Sequence, residues 1–182
     1  MLQRLKLHPD SRCEAVSRID VDVARPRPGA LALRYCLTGA LSDLHLPAAA
    51  SPVRAEGLWR HTCFEAFVRA EPGAGYAEFN LAPSTEWAAY LFDGYRCGMR
   101  AASAMAAPLI EIQAGGAALT LQATLDGLPG LPGDAPWHLG LSVVIEDVNG
   151  RLSYWALAHP PGKPDFHHAD CFALMLPAPL LP

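Results

Sequence analysis

Short apolar runs separated by proline and glycine characterise the whole chain, and most of them alternate with a period of two. In residues 30–37, Leu31, Leu33, Tyr35 and Leu37 alternate with Arg34 and Cys36, the pattern of a strand with one buried face. Residues 61–69 and 76–81 flank a Glu-Pro-Gly-Ala-Gly turn and read as a hairpin. Residues 109–113 and 117–125 flank Gly115–Gly116 as a second hairpin, with Leu119, Leu121, Ala123 and Leu125 on one face and Thr120, Gln122 and Thr124 on the other. A third hairpin joins 138–146 to 152–157 across Asn149–Gly150, a strong tight-turn signal, and residues 172–176 form a last strand. Residues 87–93 fit either a short helix or a strand, and residues 41–46 are the other helical candidate. The Gly/Pro-rich stretch 128–136 reads as a loop, because proline cannot donate to a sheet ladder. About eight or more strands with closely spaced turns make an all-β sandwich of antiparallel strands.

Composition narrows this picture. A chain of 182 residues, 51% hydrophobic and 18% charged, is expected to form one domain over 1–182 around one core. The net charge of -4 and the scattered arginines give no basic surface for nucleic acid. No run of about 18 apolar residues suggests a membrane span, and the N-terminal residues lack the apolar run of a signal peptide. The five cysteines are odd in number and show no C-x-x-C spacing, which fits reduced thiols and a cytoplasmic location.

The first hairpin carries the most informative pattern. Phe64, Ala66 and Val68 with Ala77, Phe79 and Leu81 make an apolar face suited to the core. The opposite face carries Trp59, His61, Cys63, Glu65, Phe67 and Arg69, then Tyr76, Glu78 and Asn80. If the turn pairs Arg69 with Tyr76, Glu65 lies opposite Asn80 and Phe67 opposite Glu78. Aromatic rings mixed with hydrogen-bonding groups suit a ligand surface; the plain alternatives are a solvated outer face or a homodimer contact.

The same residues carry a family resemblance. Leu58–Trp59, Phe64–Phe67, Tyr76–Asn80, Pro83–Ser84 and Trp87, with the segment Ser153–Leu174 that contains His-Pro-Pro-Gly-Lys-Pro-Asp-Phe-His-His, resemble the DOMON-like domains related to family 9 carbohydrate-binding modules. The resemblance implies a jelly-roll or immunoglobulin-like sandwich whose relatives bind sugars or haem. A sugar site needs aromatic platforms and planar polar groups. Trp59, Trp87, Tyr95 and Trp155 are candidates for the first, and Glu65, Glu78, Asn80, Arg96 and Lys163 for the second. Trp59 with Trp155 or Tyr95 is the expected platform. His61 is a further candidate, and the loop 159–168, with His159 and His167, is expected to close one end of the pocket. A carbohydrate-like small ligand and a non-enzymatic role follow as the main expectation.

Two other chemistries compete. Haem would need two axial ligands from Met99, Met105, His159, His167 and His168, and a glycoside-active enzyme would use Glu65 and Glu78, diagonal neighbours roughly 7–8 Å apart. No resident cofactor or metal is expected: His159, His167, His168 and Asp170 match no zinc spacing, and adjacent histidines on an extended backbone point to opposite sides. Neither a G-x-S-x-G elbow nor a phosphate-binding loop occurs.

Overall fold

The computed structural model of the chain describes residues 1–128 and 130–179; Pro129, in the expected 128–136 loop, and the last three residues of the expected 1–182 domain lie outside the described residues. The strands are β1 (Leu2–Arg4), β2 (Lys6–Leu7), β3 (Val16–Ala24), β4 (Ala30–Gly39), β5 (Cys63–Ala70), β6 (Tyr76–Leu81), β7 (Trp87–Phe92), β8 (Arg100–Ala101), β9 (Leu109–Gly115), β10 (Ala118–Asp126), β11 (Trp137–Glu146), β12 (Leu152–Ala156) and β13 (Leu174–Leu176). Among the described residues there is no α-helix. The helical candidate 41–46 is reduced to a single 3-10 turn at Leu41–Asp43, and 87–93 is a strand. No helix of the described residues is long and apolar enough to cross a membrane.

Two antiparallel sheets pack as a sandwich. The smaller has the order β1-β3-β4-β10-β9; the larger runs β2-β12-β11-β5-β6-β7-β8, with β13 also on β11. Strand β3 was not among the expected strands, yet Ile19, Val21 and Val23 alternate inward and are fully buried. The core lies between the sheets. Leu31, Leu33, Tyr35 and Leu37 of β4 and Leu119, Leu121, Ala123 and Leu125 of β10 meet Phe64, Ala66 and Val68 of β5 and Phe79 and Leu81 of β6. Each such leucine or phenylalanine contributes about 1.5–3 kcal/mol by leaving water.

The register of the first hairpin matches its parity, with Glu65 opposite Asn80 and Phe67 opposite Glu78. Both faces of β5 and β6 are buried, which a two-layer sandwich alone does not explain. The second cover comes from the segment joining β12 to β13. Phe166 and Phe172 from it pack with Phe67, Tyr76, Tyr90 and Phe92 in a separate small core on the outer face of the larger sheet. Gly140 makes room for this cover: it sits on β11 between the stretches paired to β12 and to β13. A Cβ there would lie 3.1 Å from the Cys171 carbonyl oxygen and 3.5 Å from the Cβ of Phe67.

Candidate functional site

The covering segment stops short of the whole outer face and leaves a concavity of about 350 Å³ over β5, β6 and β11. Its floor is Glu65, Phe67, Glu78 and Val144, and its walls are Phe92, Arg96, Tyr154, Pro164, Phe166 and His167. Trp59 and Met99, both partly exposed, stand at its mouth. Trp59 is carried by a 3-10 turn at Leu58–Arg60 rather than by the strand itself, and meets Tyr90 edge-on at 6.0 Å.

Glu65 and Glu78 are 2% and 5% exposed, and among the described residues no lysine or arginine forms an ion pair with either. Burial, reinforced by the neighbouring Glu78 carboxylate, pushes the Glu65 carboxyl up to about 8, against the opposing hydrogen bond from Ser142 Oγ at 3.1 Å. Burial also raises Glu78, while the Asn80 amide and the Arg96 charge oppose the rise. Near neutral pH Glu65 is therefore protonated and offers an O–H donor. Asn80 Nδ2 donates to Glu78 Oε1 at 2.7 Å, so one oxygen of Glu78 is committed to the protein.

His167 completes the polar wall. Burial and the Arg96 charge lower it to about 4, although Asp165 works the other way, so the ring is neutral at pH 7. The Arg96 backbone N–H donates to the Tyr76 hydroxyl at 3.3 Å. This leaves that hydroxyl to donate to His167 Nδ1 at 2.7 Å, an assignment made from the network, and places the ring proton on Nε2, 3.9 Å from Glu78 Oε2. Asp165 anchors the assembly: its carboxylate accepts from Arg96 Nη2 at 2.8 Å, from the Tyr95 hydroxyl and from the His167 backbone N–H at 3.2 Å. Arg96 adopts φ 50, a left-handed conformation uncommon for a side-chain-bearing residue, in the tight turn closed by Cys97 N–H to the Gly94 carbonyl at 3.0 Å.

Of the residues singled out in the sequence, Trp59, Glu65, Glu78, Arg96 and His167 thus meet at one pocket, with Asn80 just beneath it. Trp87 and Trp155 do not. Both point inward into the core between the sheets, where they have no access to the pocket. The pairing of Trp87 with Leu81, a core residue, was the signal that sorts it to that face. Tyr95 is exposed beside the pocket and holds Asp165, while Lys163 is exposed on the covering loop. His159 bonds the Lys6 carbonyl oxygen at 2.8 Å and packs on His8, away from the pocket. His61 turns to the other side and meets Glu146. Missed by sequence reasoning were Phe92, Tyr154, Pro164 and Phe166, which parity or loop position makes eligible but which only the packing of the covering segment selects.

The haem ligands separate. Met105 is buried in the main core, His168 caps the 3-10 turn at Ala169–Cys171, and only Met99 and His167 border the pocket. His167 has its Nδ1 committed to Tyr76 and its ring wedged edge-on against Phe67 and Phe92, and two carboxyls form the floor where a porphyrin needs an apolar slot. These residues do not fit haem.

No family model matches the chain, and a search of curated proteins finds no sequence relative. Solved structures do match. A candidate carbohydrate-binding protein from Bacteroides uniformis superimposes with a TM-score of 0.70 at 12% identity, over 93% of this chain and 83% of that one. A family 9 carbohydrate-binding module from Caldicellulosiruptor kristjanssonii, solved with cellotriose, gives a TM-score of 0.53 at 9% identity, over 89% and 74% of the two chains. The fold is shared. At these identities the likeness concerns the sandwich and not the ligand.

Proposed function

We propose that the chain binds a small sugar or sugar-like molecule in the pocket between Trp59 and His167, as a DOMON-like relative of the family 9 carbohydrate-binding modules. The observation that carries this reading is the pocket floor: two buried carboxyls with hydrogen-bonding capacity left over, beneath an aromatic rim. A protonated Glu65, the second oxygen of Glu78, the Nε2–H of His167 and the Arg96 guanidinium supply donors and acceptors within one small space. Vicinal hydroxyls, each both donor and acceptor, match that mixture better than a charged ligand does. The partly exposed Trp59 ring offers an apolar surface to the face of a pyranose. A volume of about 350 Å³ lies near the lower end of small-molecule sites and suits a ligand of one or two rings. The shared fold with sugar-binding proteins supports the same reading.

Isothermal titration calorimetry against a panel of neutral mono- and disaccharides and nucleotide sugars tests it. Binding to at least one member is expected, together with its loss in Trp59→Ala and Glu78→Ala. No heat across the panel, or affinity unchanged in both variants, overturns the reading.

A further inference from the structure

On the far side of the Leu58–Arg60 turn, three potential metal ligands from distant parts of the chain converge. His45 Nδ1 and His61 Nδ1 lie 2.9 and 2.7 Å from the same oxygen, Glu146 Oε2. The three ligand atoms all fall within 4.8 Å of one another. The geometry points to a binding site for a divalent transition cation of the zinc type, held by His45, His61 and Glu146 with further coordination positions open.

Three features support it. The donor set is two imidazoles and a carboxylate, which suits zinc and its borderline neighbours rather than calcium or magnesium. Zinc–ligand bonds of about 2.1 Å at tetrahedral angles put neighbouring ligand atoms about 3.4 Å apart. The two nitrogen–oxygen separations are within several tenths of an ångström of that, so small side-chain rotations admit the ion.

The backbone beneath the ligands is also tied together. Buried Thr62, next to His61, accepts from the Glu146 backbone N–H at 3.1 Å and donates to the His45 carbonyl at 3.0 Å. The His45 backbone N–H in turn reaches the Glu146 carbonyl at 2.9 Å. One buried hydroxyl therefore fixes all three ligand-bearing segments before any ion arrives, the preorganisation a metal site requires. By contrast, the imidazoles are 58% and 60% exposed. Exposed imidazole–carboxylate contacts stabilise a fold little, so stability alone gives scant reason to hold both side chains on a single oxygen.

The third feature is access. Both imidazoles line a concavity of about 430 Å³ with Arg60, Ser84 and Glu86, so the open positions of a bound ion face space that water or an oxygen ligand can occupy. Trp59 belongs to the sugar pocket and His61 to this site, and the two proposals stand or fall separately.

The test uses untagged, chelator-treated protein titrated with zinc chloride by calorimetry and with Co²⁺ by visible absorption. One Zn²⁺ per chain and ligand-field bands for Co²⁺ are expected in the parent. Both signals should be lost in His45→Ala, His61→Ala and Glu146→Gln and retained in His138→Ala and His168→Ala. Zn²⁺ should raise the urea midpoint of the parent and leave that of the His45→Ala/His61→Ala double variant unmoved. Circular dichroism of that variant is expected to match the parent, because both side chains are exposed. Absence of stoichiometric binding in the parent, or undiminished binding in the double variant, overturns the proposal.

Discussion

Glu65→Gln is the most discriminating perturbation of the pocket, because it removes a titration while preserving size and shape. The Glu65 carboxyl sits at about 8 against an ordinary value of 4.5. Between those pH values the folded chain holds a proton there that the unfolded chain releases. With the native state binding more protons, stability falls as pH rises, by about 1.4 kcal/mol per pH unit. The stabilising contribution is complete below pH 4.5 and is lost as pH passes 8. Over that span of about 3.5 units the loss reaches about 5 kcal/mol, with about 3 kcal/mol already gone at pH 7. Glutamine mimics the neutral acid and still accepts from Ser142 through its carbonyl, so the variant lacks the decline. Urea denaturation of both proteins at each pH from 5 to 9 reads the effect. Because His167, lowered to about 4, destabilises both proteins equally as pH falls, the difference between the two curves reports the proton held by the Glu65–Glu78 pair, which Glu65→Gln leaves with a single carboxyl. That difference should grow with pH in favour of the variant and level off above pH 8. A difference that stays flat from pH 5 to 9 would refute the reasoning, since it would mean that Glu65 titrates alike in the folded and unfolded chains.

Further outcomes follow from the same geometry. Trp59→Ala should abolish the fluorescence response to sugar while lowering stability by about 1–2 kcal/mol, less than loss of a core tryptophan, because the ring is partly exposed but still meets Tyr90; unfolding curves check the second half. Trp155→Ala should do the reverse, destabilising by about 3–5 kcal/mol through a core cavity and leaving ligand affinity unchanged in calorimetry at a temperature where the variant is folded. Tyr76→Phe removes the only hydrogen bond to His167 Nδ1 among the described residues and should lower stability by about 1–3 kcal/mol. Nitrogen-15 chemical shifts of the imidazole should report Nε2–H in the parent and a mixed tautomer in the variant. In the parent the same spectra should show His167 neutral at pH 6 and gaining its proton near pH 4, so that its share of stability is present above pH 6.5 and lost as pH falls through 4.

Much of this protein was determined locally. Alternation of period two needs only neighbouring residues, so the hairpins, the Glu65–Asn80 register and the core face of Phe64, Ala66, Phe79 and Leu81 could be read directly from the sequence. The same rule, carried one strand further, would have sent Trp87 inward with Leu81, and alternation in β12 separates Trp155 from Tyr154. What lies on the outer face was another matter. Whether Glu65 and Glu78 meet water or protein depends on a segment that returns about ninety residues later, as the contact of Tyr76 with His167 shows, and the pattern within a strand carries no information about what covers it. Burial by that segment is what raises the carboxyls and neutralises His167, so their chemistry is a tertiary property. The convergence of His45 and His61 on Glu146 is more distant still, spanning 101 and 85 positions of chain. Local pattern sorted side chains between two faces; only the packing of distant loops onto one of those faces turned it into a pocket.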